Sequence, residues 1–237
     1  MNVNVSVERV KGKDKHGLIY QFYTLKSIRM KGDEHVPTLL LTGFEPFLSF
    51  PINPTKQIVH HLHGRQIGGY HIEGRILPVD YDTSGAEILS HIEETQPDVV
   101  LSLGLAAGRQ SITPERIAIN WNESSEKDNR GNKPDGEPIH EEGADGLFTT
   151  LPIRQFVEGL HENGYPAQIS NTAGTYVCNH VMYQTLYHFK KRKEHVPSGF
   201  IHLPASHELA VQHGKLPSWP QQDLTAAIEC VIESIDS

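Results

Sequence analysis

Apolar and polar positions recur along the chain in two periods, and their succession predicts an α/β fold. Thr38 to Thr42 reads as a fully apolar strand, and Asn53-Pro54 caps and opens a helix running to about His63, which Gly64 ends. A strand around His71 to Val79, a helix around Ser84 to Glu94 and the buried run Val99 to Leu103 follow. Beyond a strand that begins at Glu115, Leu151 to Asn163 is expected to be helical with Gly164 closing it, Ala167 to Ser170 to be strand, and Cys178 to Lys190 to be helix. Gly199 to Leu203 is expected as the final strand and Asp223 to Ser234 as the last helix. Such alternation builds a single α/β domain around a mainly parallel, twisted sheet with helices on both faces. Between Asn122 and Gly146 the pattern lapses into a long polar stretch. It reads evenly as a solvated surface excursion or as a lid or subunit contact.

In open α/β sheets functional groups gather beyond the carboxyl ends of the strands, and Phe44 to Phe47, Gly104 to Arg109, Thr172 to Cys178 and His202 fall at or just past such ends. Cys178 stands at the mouth of a helix, where unpaired N–H groups and the positive end of the dipole favour a thiolate. Most unpaired cysteines are small buried apolar residues, and that plainer reading leads when this segment is taken alone. Glu115 and His202 change the balance. Acid, thiol and imidazole stand in the order Glu115, Cys178, His202, an orienting carboxylate, a nucleophile and a base, as an acyl-transfer site needs. Glu115 is the awkward member, since it falls at the start of its strand. His180 lies two residues past Cys178 and does not face it on a helix. His60, His61 and His63 share one helix without a partner at ligand spacing, so no metal is expected.

Several strings in this order carry a family resemblance: Leu41-Thr-Gly-Phe44-Glu-Pro-Phe47, Asn53-Pro54, Thr113-Pro-Glu115-Arg116 with Ala118-Ile-Asn120, Thr172-Ala-Gly-Thr with Val177-Cys178-Asn179-His180, and Gly199-Phe-Ile-His202. Over about residues 38 to 236 the chain resembles pyroglutamyl peptidase I, the cysteine exopeptidases that remove an N-terminal 5-oxoproline from peptides. The resemblance implies that Cys178 attacks the 5-oxoprolyl carbonyl, His202 protonates the departing amine and Glu115 holds the ring. The backbone N–H of Cys178 is the natural oxyanion donor. It points to Phe44 and Phe47 as rings packing on the lactam, with Leu105 and Arg109 as further substrate-binding candidates. Two readings of Arg109 stay open, an electrostatic helper or a structural ion-pair partner, the second slightly ahead. Asn53 is read first as a helix cap and then as a brace for the Phe44 to Phe47 loop. Two positions depart from the family pattern. Leu48-Ser49 stands where a glycine pair is common, so that Leu48 restricts access to positive φ, and Leu105 stands where glutamine is common, leaving only its backbone for polar recognition. A cysteine amidase acting on another small cyclic or acylated amine, or a catalytically silent peptide-binding homologue, are the alternatives.

Composition bounds the rest. With 237 residues, 37% hydrophobic and 21% charged, the chain suits one soluble domain with a substantial core. A net charge of −8 and a pI near 6.0 argue against nucleic acid as a partner. Two cysteines, Cys178 and Cys230, give no disulfide framework and suit a reducing compartment. No secretory signal or membrane-length apolar run is visible, so cytoplasm is the expected location and no membrane association is expected. No cofactor is called for, and the resemblance allows for a homo-oligomer. Residues 1–35 carry seven Lys/Arg against four Asp/Glu, whereas the remainder carries 14 against 25. The family resemblance does not cover this leader. It is expected to be a poorly ordered basic extension preceding a catalytic domain over 36–237, with an added strand through Leu18 to Leu25, or a start at Met30, as the other readings.

Overall fold

The computed structural model describes residues 3–13, 19–30 and 36–235, the first two stretches by their backbone. The chain divides into two units, residues 1–36 and 37–237. In the first, β1 (Val3–Lys13) and β2 (Ile19–Met30) pair antiparallel, Val3 opposite Met30 and Lys13 opposite Ile19. Composition predicts a poorly ordered arm over this leader, with a strand through Leu18 to Leu25 as another reading; along β1, Val3, Val5 and Val7 alternate with the two-residue period of a strand. Residues 1, 2, 14–18 and 31–35, on which the same expectation falls, lie outside the described residues.

The second unit runs in the order β3 (Thr38–Phe44), α1 (Pro54–Leu62), β4 (Gln66–Ile67), β5 (Tyr70–Leu77), α2 (Ser84–Thr95), β6 (Val99–Leu105), β7 (Thr113–Pro114), β8 (Ile117–Ile119), β9 (Asn122–Glu123), β10 (Asp135–Glu137), β11 (Gly146–Phe148), α3 (Ile153–Glu162), α4 (Val177–Arg192), β12 (Ser198–Leu203), β13 (Ala205–Ser206), α5 (His207–His213), β14 (Ser218–Trp219) and α6 (Gln221–Glu233). Its main sheet has the order β4-β5-β3-β6-β12-β7. The central strands β5, β3, β6 and β12 are parallel, and the short edge strands β4 and β7 are antiparallel.

The two-residue period of the strands sorts their side chains onto two faces. Leu39, Leu41, Leu101, Leu103, Ile201 and Leu203 pack with Ile58, Phe156 and Ile228 of α1, α3 and α6. Leu40, Val100 and Phe200 face the other way, with Ile88 of α2 and Val181 and Tyr183 of α4. Fully burying each such side chain stabilises the fold by about 1.5–3 kcal/mol, which is why these strands read as continuous apolar runs. His202 lies two residues from Phe200 on β12 and therefore shares its face, the one covered by α4.

The expected elements are present with three differences. Residues 167–170 form isolated bridges, Ile112 with Ala167 and Glu115 with Ser170, in place of a strand. Pro114 lies between the two and has no N–H with which to extend a ladder. Glu115 sits in the gap between β7 and β8, where a strand start is predicted. The expected final strand is followed by β13, α5 and β14, with β13 and β14 pairing parallel. Asn53 caps α1 as read, its side chain accepting from Thr55 N.

After β3 the chain turns through Leu48, whose backbone is left-handed (φ 53°) although the side chain has a Cβ. Leu48 is 48% exposed, so little burial offsets the strain. Leu48→Gly is expected to raise the free energy of unfolding by about 0.5–1 kcal/mol, the left-handed penalty less the extra entropy of an unfolded glycine. Equilibrium urea unfolding measures it, and a loss of stability would show that contacts of Leu48 outweigh the strain.

Candidate active site

Four segments of the second unit end around one cavity of about 130 Å³, whose lining includes Phe44, Phe47, Leu105, Tyr176, Cys178 and His202. Phe44 closes β3, Leu105 closes β6 and His202 is the penultimate residue of β12, so each arrives at a carboxyl end. Cys178 is the second residue of α4, and Tyr176 at the N-cap places no side-chain hydrogen bond on the helix start. A larger hollow of about 510 Å³, between Phe148 of β11 and the end of α4, contains none of these residues. Chemistry, not size, singles out the smaller one.

Gly104 makes the approach of thiol to sheet feasible. It pairs with His202 across β6 and β12, and a Cβ there would lie 2.7 Å from the Phe200 ring and 3.0 Å from Sγ of Cys178. Absence of a side chain at this point lets the helix start sit down on the strand end.

Glu115 reaches His202, which sequence alone left undecided. β7 runs antiparallel beside β12 with Thr113 opposite His202, and this register carries Glu115 Oε1 to 2.7 Å from His202 Nδ1. Both side chains are buried, Glu115 completely. Arg109, projecting from the turn after β6, donates Nη1 to the same carboxylate oxygen at 2.6 Å, to the Thr113 hydroxyl, and Nη2 to the Thr172 carbonyl at 3.4 Å. Its donors are engaged with Glu115 and its neighbours, which is the ion-pair arrangement.

Burial alone would push the Glu115 carboxyl up. The hydrogen bond and charge of His202, the Ser170 hydroxyl and the Arg109 guanidinium outweigh it and hold the group below its usual 4.5. Burial pulls His202 below 6.5, with Arg109 adding to the effect and Glu115 opposing it. Cys178 is half-buried, yet desolvation and the nearby Glu115 push its thiol up to about 12 against the help of Arg109 and its own backbone N–H. The resting pair is therefore a thiol and a neutral imidazole. The helix end that favours thiolate is present, and desolvation outweighs it in the free site.

His180 is held elsewhere. Its Nδ1 lies 3.0 Å from Asn122 Oδ1, its ring meets Tyr81 edge-on at 5.9 Å, and burial lowers it to about 4. Phe44 is 2% exposed and packs with Phe200, so it serves core and cavity together. The Phe47 ring stands 6.2 Å from Tyr176 and 5.6 Å from Phe50. Leu105 is buried and contributes an apolar wall. Asn53 also lines the cavity and donates to the Glu45 carbonyl at 3.1 Å, so the cap and the brace are both realised. Sequence reasoning missed Tyr176 and Val79, which also line the cavity. An aromatic ring two residues before the cysteine was the available signal for the first. Among the described residues no group of three or more His, Cys, Asp or Glu is arranged to hold a metal ion.

Comparison with known proteins agrees with this geometry. A family model for pyroglutamyl peptidase matches residues 37–237. The pyrrolidone-carboxylate peptidase of Oceanobacillus iheyensis is 52% identical over 198 residues, covering 84% of this chain and 98% of the relative. That of Halalkalibacterium halodurans is 53% identical over 198 residues, covering 83% and 98%. Among solved structures, the pyrrolidone carboxyl peptidase of Thermococcus litoralis superposes with a TM-score of 0.81 at 39% identity, covering 84% of this chain and 94% of that one. Pyroglutamyl peptidase I of Bacillus amyloliquefaciens gives 0.81 at 37%, covering 84% and 96%. Fold and site together define a cysteine peptidase of α/β build. The chain belongs to the pyroglutamyl peptidase family.

Gly104→Ala tests the close approach of sheet and helix. The added methyl meets a ring carbon and the sulfur, and it is expected to destabilise the fold by about 1–3 kcal/mol, as overpacking does. The readout is the unfolding midpoint, and a stability equal to the parent's would mean that the start of α4 yields freely.

Proposed function

We propose that this chain hydrolyses the amide bond after an N-terminal 5-oxoprolyl residue of peptides, with Cys178 as nucleophile, His202 as general base and then acid, and Glu115 as the orienting carboxylate. The observation that carries the reading is the 2.7 Å contact of Glu115 Oε1 with His202 Nδ1. That contact leaves the other ring nitrogen for the cavity the histidine shares with Cys178. His202 takes the thiol proton as sulfur attacks the carbonyl, since a thiol held near 12 is not ionised beforehand. The imidazolium, stabilised by Glu115, then passes the proton to the leaving amine, and water releases the acyl group. The N–H of Cys178 at the uncapped start of α4 supports the oxyanion.

Substrate choice follows from the walls. About 130 Å³ is room for a few water-sized groups, which suits a flat five-membered lactam and little more. Phe44, Phe47 and Tyr176 supply aromatic surface, and a free ammonium entering this lining would lose hydration without recovering it. Leu105 adds apolar wall, with its polar recognition confined to backbone. Arg109 acts through Glu115 more than on substrate. The relatives' names support the pyroglutamyl cap. The two free cysteines are compatible with the cytoplasm. Among the described residues no helix is long and apolar enough to cross a membrane.

A fluorogenic amine should be released from a 5-oxoprolyl conjugate and not from prolyl or acetyl conjugates. Cys178→Ser is expected to remove turnover by at least about 10³-fold with the fold unchanged by circular dichroism. No turnover of the 5-oxoprolyl conjugate by folded parent protein defeats the assignment, and activity surviving in the serine variant moves the nucleophile elsewhere.

The pH profile carries the roles of the other two groups. Protonated His202 cannot accept the thiol proton, so kcat/KM should fall on the acid side with a midpoint below 6.5. Glu115→Gln removes the anion that pushes His202 up. The acid limb should then move to still lower pH while kcat drops about 100-fold or more. A limb that stays put, or moves up, contradicts the pairing.

A further inference from the structure

The polar excursion after β8 does not simply run over the surface. Its first residues pair β9 with β10, and Asp128 knots the segment by accepting from the backbone N–H groups of Tyr81, Arg130 and Asn132 at 2.7–3.0 Å. The knot presents Asn129 to the loop that carries Phe44 and Phe47. Asn129 Nδ2 donates to Glu45 Oε1 and to the Pro46 carbonyl, each at 2.9 Å, and its backbone N–H donates to the Val79 carbonyl at 2.9 Å. A side-chain amide has two N–H donors, and both are used. Glu45 and Pro46 are the two residues between the phenylalanines, and Pro46 has no N–H of its own with which to hold the loop. Glu45 Oε1 also receives Val79 N at 3.3 Å, so one carboxylate oxygen links Asn129, the aromatic loop and a second lining residue.

Tyr176, whose ring stands 6.2 Å from that of Phe47, is tied to the same excursion. Tyr176 donates its hydroxyl to the Lys127 carbonyl at 3.2 Å, and Thr175 donates to the Glu123 carbonyl at 2.6 Å. The segment thus holds both Tyr176 and the Phe44–Phe47 loop, and Asn129 is its attachment to the latter. Neither Cys178, His202 nor Glu115 is held by it. The Glu115–His202 pair is anchored by other polar ties, whereas the start of α4 meets the excursion through Thr175 and His180.

We propose that Asn129 is a positioning residue: it clamps the Phe44–Phe47 loop and so sets the affinity of the site for the lactam ring without acting on the reacting atoms. This rests on the pyroglutamyl reading above. Loss of the clamp frees the Phe47 ring to swing from Tyr176, and the cavity no longer matches a flat ring. Asn129→Ala should raise KM for the 5-oxoprolyl conjugate about tenfold, the loss expected of two ordinary hydrogen bonds, with kcat within about threefold. Asn129→Asp has no donors and faces Glu45 with a second carboxylate, so its KM should rise further.

The decisive variant reverses the pair. In Glu45→Gln with Asn129→Asp, the new amide at 45 donates to the new carboxylate at 129, and KM should return at least about threefold toward the parent value from Asn129→Asp alone. Binding of 2-pyrrolidone to Cys178→Ser protein, with and without Asn129→Ala, is measured by calorimetry alongside. Weaker lactam binding in the Asn129 variant supports the clamp. Equal lactam binding, equal losses in kcat and KM, or no recovery in the paired variant overturns it. If 2-pyrrolidone does not bind even with Asn129 present, the pyroglutamyl reading itself fails, which separates the two outcomes.

Discussion

The contact on which the site depends is the one between a fully buried carboxylate and a buried imidazole, Glu115 with His202. Either group alone at this depth would be costly, because an unpaired ionised carboxylate in a protein interior loses several kcal/mol of hydration. The pair is tolerable since the carboxylate also receives the Arg109 guanidinium at 2.6 Å, which compensates its charge where water is excluded. That requirement shapes the sheet edge. A parallel strand beside β12 would need a long crossover to get there, whereas β7 arrives antiparallel straight from the turn after β6. The same turn supplies Arg109. Orientation of the imidazole, charge balance and sheet topology are one solution to one constraint.

Burial also decides the protonation states. Desolvation raises the thiol and lowers the imidazole, so in the proposed reaction both start neutral and the charge separation falls on the step in which substrate is present. The uncapped start of α4 then matters more during attack than at rest, since its N–H groups face negative charge only once it develops. A cavity of this size limits what can occupy it.

Much of this was legible in the residues. Apolar runs fixed β3, β6 and β12, the Asn53-Pro54 pair marked the start of α1, and glycine-rich turns flagged the loops that bear Phe44, Arg109 and Cys178. Cys178 and His202, the candidate nucleophile and base, could be read because one opens α4 behind a glycine-bearing turn and the other stands near the end of the apolar run of β12. Glu115 could not be placed, because it stands between two strands of two and three residues whose pairing is non-local. Periodicity has nothing to act on at that length. Tyr176 looked like one more residue before a helix, and Asn129 like one more polar residue in a loop, since a tie across 83 or 84 residues leaves no local signature. The strain at Leu48 shows the opposite failure: sequence correctly marked the residue as unsuited to positive φ, and the loop adopts that conformation regardless.

That strained loop clarifies how affinity and reactivity are divided. Phe47 belongs to a cluster that reaches Leu105, Ala205 and Leu209 as well as to the core face around Phe44, so its position is shared among β6, β13 and α5. Apolar packing of this kind is non-directional and leaves a ring free to slide. Hydrogen bonds from Asn53 Nδ2 to the Glu45 carbonyl and from the Phe44 N–H to the Thr55 hydroxyl fix the start of the loop, and the excursion fixes its middle. The reacting groups are fixed separately, by the register of β7 on β12 and by the seat of α4 against Gly104. Under the proposed roles, a change in the loop can therefore retune which ring is held while the thiol, imidazole and carboxylate keep their geometry.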